Sequence, residues 1–153
     1  ETQTVFEKLL LSLRKSRTPL STLFYTISKK DEEAINEIAS EVNLIKNVHT
    51  LAGQLSHGQK QWLEIGMLLA QKPNLLLIDE PAAGMTAPER QKTVSLLKNL
   101  SKNQSVIVVE HDMEFIKSLD CRVTVLHDGT VLAEGSLEHV SKNNKVIDVY
   151  LGR

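Results

Sequence analysis

Residues 55–59, Leu-Ser-His-Gly-Gln, put a serine, a histidine and a glycine just ahead of an apolar, helix-forming run. Residues 75–81, Leu-Leu-Leu-Ile-Asp-Glu-Pro, end a greasy run in two adjacent acids. Asp79 and Glu80 fall where a buried strand would stop, at the carboxyl edge of a parallel sheet, where open α/β sheets bind ligands. Two acids side by side repel each other unless a cation is close. One can serve a hydrated Mg2+ while its neighbour orients a water for attack, the division of labour of phosphoryl transfer. A strand that merely ends in solvated acids is written the same way, so the pair alone leaves both readings open.

Ser56 can cap a helix that starts near Gly58, and that helix end then offers unpaired amides and the positive end of its dipole. Gly58 lets a ligand come close to the backbone. Together these suit a phosphate, although an ordinary capped turn has the same residues. His57 suits either a hydrogen bond to phosphate or a plain surface position. Ser105 to Val109 reads as a second buried strand. His111 follows it, and from a strand end it can hydrogen-bond charge developing on a phosphate; a structural histidine is the alternative. His49, His57, His127 and His139 have no ligand-like spacing, so a metal site built from histidines is not expected. The phosphate-binding pattern G-x-x-x-x-G-K-S/T is absent. Its nearest match, Gly53 to Gly58 followed by Gln59 and Lys60, displaces the lysine, lacks the hydroxyl and follows no strand.

The elements that must hold these residues are legible in outline. Val5, Phe6, Leu9, Leu10 and Leu13 recur at helical spacing. Residues 16–30 read as a loop around Pro19. Ser28 and Asp31 have capping-box spacing ahead of a helix with Ile35, Ile38 and Val42 on one face. Residues 58–71 form a helix whose Trp62, Leu63, Ile65, Leu68 and Leu69 wrap much of its circumference, so it should be largely buried. Leu75 to Ile78 is a continuous apolar run of the kind found in a parallel strand covered on both faces. Thr86-Ala87-Pro88-Glu89 starts a helix whose inner stripe is Val94, Leu97 and Leu100. A short helix follows from about Met113, then a hairpin whose Asp128-Gly129 pair suits a type I′ turn. Terminal helical pieces follow, one of them capped by Ser136. The order predicts an α/β fold with a helical annex.

The 153 residues suffice for one core and a small satellite, and the net charge of −1 gives no electrostatic footprint for nucleic acid or anionic lipid. The one cysteine, Cys121, fits a reducing compartment, and a cytoplasmic location is the default expectation. The first residues lack the order of a signal peptide and read like a cut edge.

LSHGQKQ, LLLIDEP, EPAAGMT and VVEHD, in that order and spacing, resemble the ATP-binding subunit of an ATP-binding-cassette (ABC) transporter over nearly the whole chain. LSHGQ is similar to the family signature LSGGQ, with His57 in place of a glycine. Leu75 to Glu80 resemble the Walker B strand, with Glu80 at the general-base position. Ala83, Gly84, Met85 and Thr86 fall on the D-loop, whose usual aspartate is Thr86 here. His111 matches the switch-loop histidine.

The resemblance implies an incomplete P-loop NTPase fold: a helical subdomain over residues 1–72, then the C-terminal part of a RecA-like core over 73–153, with a parallel sheet and a C-terminal β-hairpin. It implies ATP and Mg2+ as cofactors, with Glu80 and His111 catalytic and Asp79 holding the metal through water. Leu55, Ser56, His57, Gly58 and Gln59 would face the ATP of a partner subunit in a head-to-tail dimer. Further implied partners are transmembrane permease subunits and, indirectly, a periplasmic or lipoprotein binding protein, on the inner face of the membrane and without nucleic acid. The P-loop would lie upstream, so this stretch alone should not hydrolyse ATP. The ending and LSHGQKQWLEIGM resemble urea and branched-chain amino-acid importers, closest to the urea type. A non-transport cassette protein acting on DNA or ribosomes is the alternative, disfavoured by the acidic balance and the short helical segment.

Overall fold

Helix starts are fixed by local side chains. Thr4, Ser28 and Ser56 each cap a helix, and Glu7, Asp31 and Gln59, three residues on, each accept from the capping residue's own amide. Each reciprocal pair satisfies amides that the first helical turn leaves without partners. The helices are α1 (Val5–Ser12), α2 (Lys29–Glu41) and α3 (His57–Leu69). Short 3-10 turns at Ile45–Asn47 and Ala52–Gln54 connect α2 to α3. The computed structural model describes residues 2–13 and 27–150. The loop expected over residues 16–30 therefore lies outside the described residues except for 27–30, where Ser28 and the start of α2 stand in its place.

The chain divides into two compact units, Glu1–Val109 and Glu110–Arg153. In the first, α1, α2 and α3 pack together. Val5, Leu9, Ile35, Ala39, Val42, Trp62, Leu63 and Ile65 are buried among them. The start of the chain is tied to the approach to α3: Val5 and Phe6 donate their amides to the carbonyls of Thr50 and Val48 (3.0 and 2.8 Å), and Ala52 donates to Gln3 (2.8 Å). Helix α3 is less enclosed than its composition suggests, because Leu68 is exposed and Leu69 half-buried.

Strand β1 (Leu75–Asp79) pairs in parallel with β2 (Ser105–Val109), Leu77 opposite Ile107 and Asp79 opposite Val109. Helix α4 (Ala87–Leu100) connects them and packs on β2. The expectations that β1 is covered on both faces and that β2 is buried are corrected: Leu76 and Ile78 are buried, whereas Leu77 is 64% exposed, Ile107 and Val109 lie open on the same face, and Val106 and Val108 are only half-buried. The described residues supply a covering layer to one face of this sheet only. The inner stripe of α4 is also shifted. Thr93, Leu96, Leu97 and Leu100 are buried and Val94 only half so. Thr93 is fully buried because the indole Nε1 of Trp62 donates to its Oγ1 (2.9 Å), while that hydroxyl donates to the Glu89 carbonyl (3.0 Å).

In the second unit, Asp112 caps α5 (Met113–Leu119) by accepting from Glu114 and Phe115. Strands β3 (Val123–His127) and β4 (Thr130–Gly135) form the hairpin. Asp128 and Gly129 both take positive φ (46° and 73°), as a type I′ turn needs. Helices α6 (Leu137–Ser141), capped by Ser136, and α7 (Asn144–Tyr150) close over it, with Ala133, Val140 and Val146 as the core.

The buried Trp62–Thr93 pair gives the first prediction. Thr93→Val leaves the indole N–H without an acceptor and should cost about 1–3 kcal/mol of stability in urea unfolding. Thr93→Ser keeps the acceptor and should cost clearly less. A larger loss for Thr93→Ser than for Thr93→Val would mean that the methyl and its packing, not the hydrogen bond, are what Thr93 supplies.

Candidate functional site

The turn before α3 is built around one hydroxyl. Ser56 Oγ accepts from the Gln59 amide (3.2 Å), and the Gln59 side chain accepts from the Ser56 amide (3.0 Å). The amides of His57 and Gly58, in the first turn, have no preceding helical carbonyl to bond. Ser56 and His57 are exposed. Leu55 is 6% exposed, so its side chain belongs to the core and only its backbone borders the turn.

The carboxylates stand at the end of β1, both exposed. The Glu80 amide donates to the Val109 carbonyl (2.9 Å), which extends the ladder by one rung. The chain then reverses sharply. Glu80 itself has φ of +44°, a left-handed conformation that costs a non-glycine residue about 1–2 kcal/mol. The turn is closed by the Ala83 amide on the Glu80 carbonyl (3.1 Å) and the Met85 amide on that of Ala82 (3.3 Å). Gly84 is left-handed as well (φ +64°), and a Cβ there would stand 3.1 Å from Cδ2 of His57. Met85 is buried, with Sδ 3.2 Å from the Thr93 hydroxyl.

The loop after β1 and the turn before α3 therefore meet, and Glu89 joins them. Its Oε2 accepts from the amide (3.0 Å) and hydroxyl (2.7 Å) of Thr86, while its Oε1 accepts from the Ser56 hydroxyl (2.8 Å). The Thr86 amide, then the Thr86 and Ser56 hydroxyls, hold the Glu89 carboxyl below its ordinary value of 4.5. The two capping patterns, Ser56-x-x-Gln59 and Thr86-x-x-Glu89, are visible in the sequence. The bridge between them spans 33 positions, and no local signal announces it. In the second unit, His111 is exposed in the turn that leads into α5, and its amide donates to the Glu110 carboxylate (3.1 Å).

The family model of the ABC transporter matches residues 1–83. The chain belongs to the ABC transporter family. Relatives in that family include the high-affinity branched-chain amino acid transport ATP-binding protein BraF of Pseudomonas aeruginosa, 35% identical over 87% of this chain and 55% of its own length. LivG of Escherichia coli K12, which carries the same description, is 32% identical over 97% of this chain and 62% of its own. The fold agrees with a crystal structure of an ATP-binding cassette of an ABC transporter in its ADP conformation: TM-score 0.77, 27% identity, 98% of this chain and 63% of that one. The chain thus spans rather more than half the length of the relatives it matches.

This ABC-family chain has an α/β fold with helices and a parallel sheet. No described helix is long and apolar enough to cross a membrane. Among the described residues, no three His, Cys, Asp or Glu side chains gather as a metal-binding group. Asp79, a single exposed carboxylate, fits Mg2+ that keeps its waters and draws its other ligands from phosphate.

The geometry at Glu89 gives a prediction. The folded carboxyl of Glu89 is depressed, so its ionisation contributes stability that is fully present above pH 4.5 and fades as pH falls through the folded value. Glu89→Gln should therefore flatten the acid limb of the stability–pH curve below 4.5; an unchanged limb would assign that linkage to another group.

Proposed function

We propose that the chain is part of the ATP-hydrolysing subunit of a bacterial ABC importer. One observation carries the reading. In a chain of this family, an exposed Asp79-Glu80 pair at the end of a parallel strand runs into a turn whose Gly84 lies against His57. That arrangement supports reading the acid pair as suited to water activation and the helix end beside it as suited to phosphate. Residues 1–72 would form the helical subdomain and 73–153 the C-terminal part of the ATPase core. That functional division falls inside the first compact unit, Glu1–Val109.

The roles follow from the motif positions. Bound ATP carries the phosphoryl group, and bound Mg2+ would neutralise charge that develops on it. Glu80 would take the proton of the attacking water, Asp79 would hold the hydrated metal, and His111 would donate a hydrogen bond to the terminal phosphate. Ser56 and the amides of His57 and Gly58 face the nucleotide of a second, head-to-tail subunit; Gln59 supports them through its cap. Ala83, Gly84 and Thr86 border the same interface. The phosphate-binding loop would belong to sequence outside these 153 residues, since none of them supplies its pattern. The assembled protein would sit on the inner face of the membrane against permease subunits, fed by a binding protein.

For the cargo, the names of BraF and LivG support branched-chain amino acids. Urea stays as a second reading, carried by the likeness of LSHGQKQWLEIGM to the urea-type subunits. Uptake of labelled leucine and of labelled urea by cells with and without the intact subunit separates the two.

In the full-length protein, Glu80→Gln should lower ATP turnover by about 10²–10⁴-fold while nucleotide binding persists, because the amide keeps the shape but takes no proton. Retention of most of the turnover would remove Glu80 from the role of base.

A further inference from the structure

The Ser56 hydroxyl has one proton to give, and it is already given. It accepts from the Gln59 amide and donates to Oε1 of Glu89 at 2.8 Å. An ionised carboxylate is an acceptor only, and so is a phosphate oxygen. Ser56 therefore cannot donate to both at once. Glu89 also stands close against the end of α3, since a Cβ on Gly58 would lie 2.8 Å from its Cδ and Oε1. A negative charge at the positive end of a helix is stabilised there, as a phosphate would be. Its other oxygen is pinned by Thr86, so the carboxylate is anchored to the loop that follows Asp79 and Glu80.

We propose that Glu89 is a positioning residue that acts as an internal competing anion: it holds the Ser56 hydroxyl until nucleotide phosphate displaces it, and so sets the ATP concentration at which this turn engages the partner subunit. The proposal rests on the reading that Ser56 faces the nucleotide of the partner subunit. It has a sign opposite to that of a strut. If Glu89 only held the turn in shape, its loss would weaken nucleotide engagement; as a competitor, its loss strengthens it. Release of Ser56 also frees one of the two Glu89 oxygens, so engagement at the turn is felt at Thr86 and in the loop beyond Glu80.

The test uses the full-length protein and Mg2+ with a non-hydrolysable ATP analogue, reading by analytical ultracentrifugation the analogue concentration that half-maximally drives dimerisation. Glu89→Gln should lower that midpoint about five-fold, since a charge-assisted hydrogen bond is replaced by a weaker neutral one. Glu89→Asp can still cap Thr86 but is a methylene too short for Ser56, and it should shift the midpoint the same way. This second variant guards against misfolding of the first. Ser56→Ala should raise the midpoint, and Glu89→Gln added to it should shift the midpoint clearly less than it does alone, because the carboxylate acts chiefly through that hydroxyl. In steady-state hydrolysis the Glu89 variants should move KM more than kcat. If Ser56→Ala raises the midpoint but both Glu89 variants raise it or leave it unchanged, Glu89 is a strut and the proposal is overturned while the functional reading stands. If Ser56→Ala leaves the midpoint in place, that reading of Ser56 falls and takes this proposal with it.

Discussion

The site depends on how helix α4 is fastened to helix α3. The Trp62 indole reaches the Thr93 hydroxyl in a dry contact between the two helices, where a missing partner would be most costly. That bond fixes register. A slip of one residue turns a helix face by about 100°, which would carry Thr93 away from the indole. Glu89 lies four residues before Thr93, on the same face and one turn nearer the start of α4. With Thr93 held, Glu89 falls beside Ser56 at the start of α3, where its hydrogen bond forms at 2.8 Å. The buried bond positions; the exposed bond then acts at the site.

What the sequence made legible is what depends on neighbours within a few residues. Ser28 with Asp31, Thr86 with Glu89 and Ser136 ahead of α6 are helix starts that need only local hydrogen bonds, and Asp128-Gly129 needs only permissive backbone. The motif order of Ser56, Asp79, Glu80 and His111 likewise led to the right family and fold. What was not legible depends on partners distant in sequence. The inner stripe expected of α4, Val94, Leu97 and Leu100, leaves Thr93 out, and only Trp62, 31 positions earlier, makes it a core residue. Glu89 reads as a capping acid and nothing more. Leu75 to Ile78 is apolar enough for a strand enclosed on both sides, yet composition says what a face can tolerate, not what covers it, and Leu77 is open.

The departure of LSHGQ from the family pattern has a local physical account. A histidine in place of glycine needs room for a ring, and the ring of His57 lies against Gly84, where any side chain would crowd it. Gly84 is also left-handed, so glycine there serves two ends: it permits the backbone turn and it seats the imidazole. The same short loop begins with Glu80 in its own left-handed conformation, a strain that persists because β2 holds the Glu80 amide and the Ala83 amide holds its carbonyl. His57, Gly84 and Glu80 are therefore mechanically joined within a few residues of chain. A side chain on the turn before α3 rests against the loop that begins at Glu80. A shift of the His57 ring would therefore be felt at Gly84 and along that short loop, without any longer path through the core.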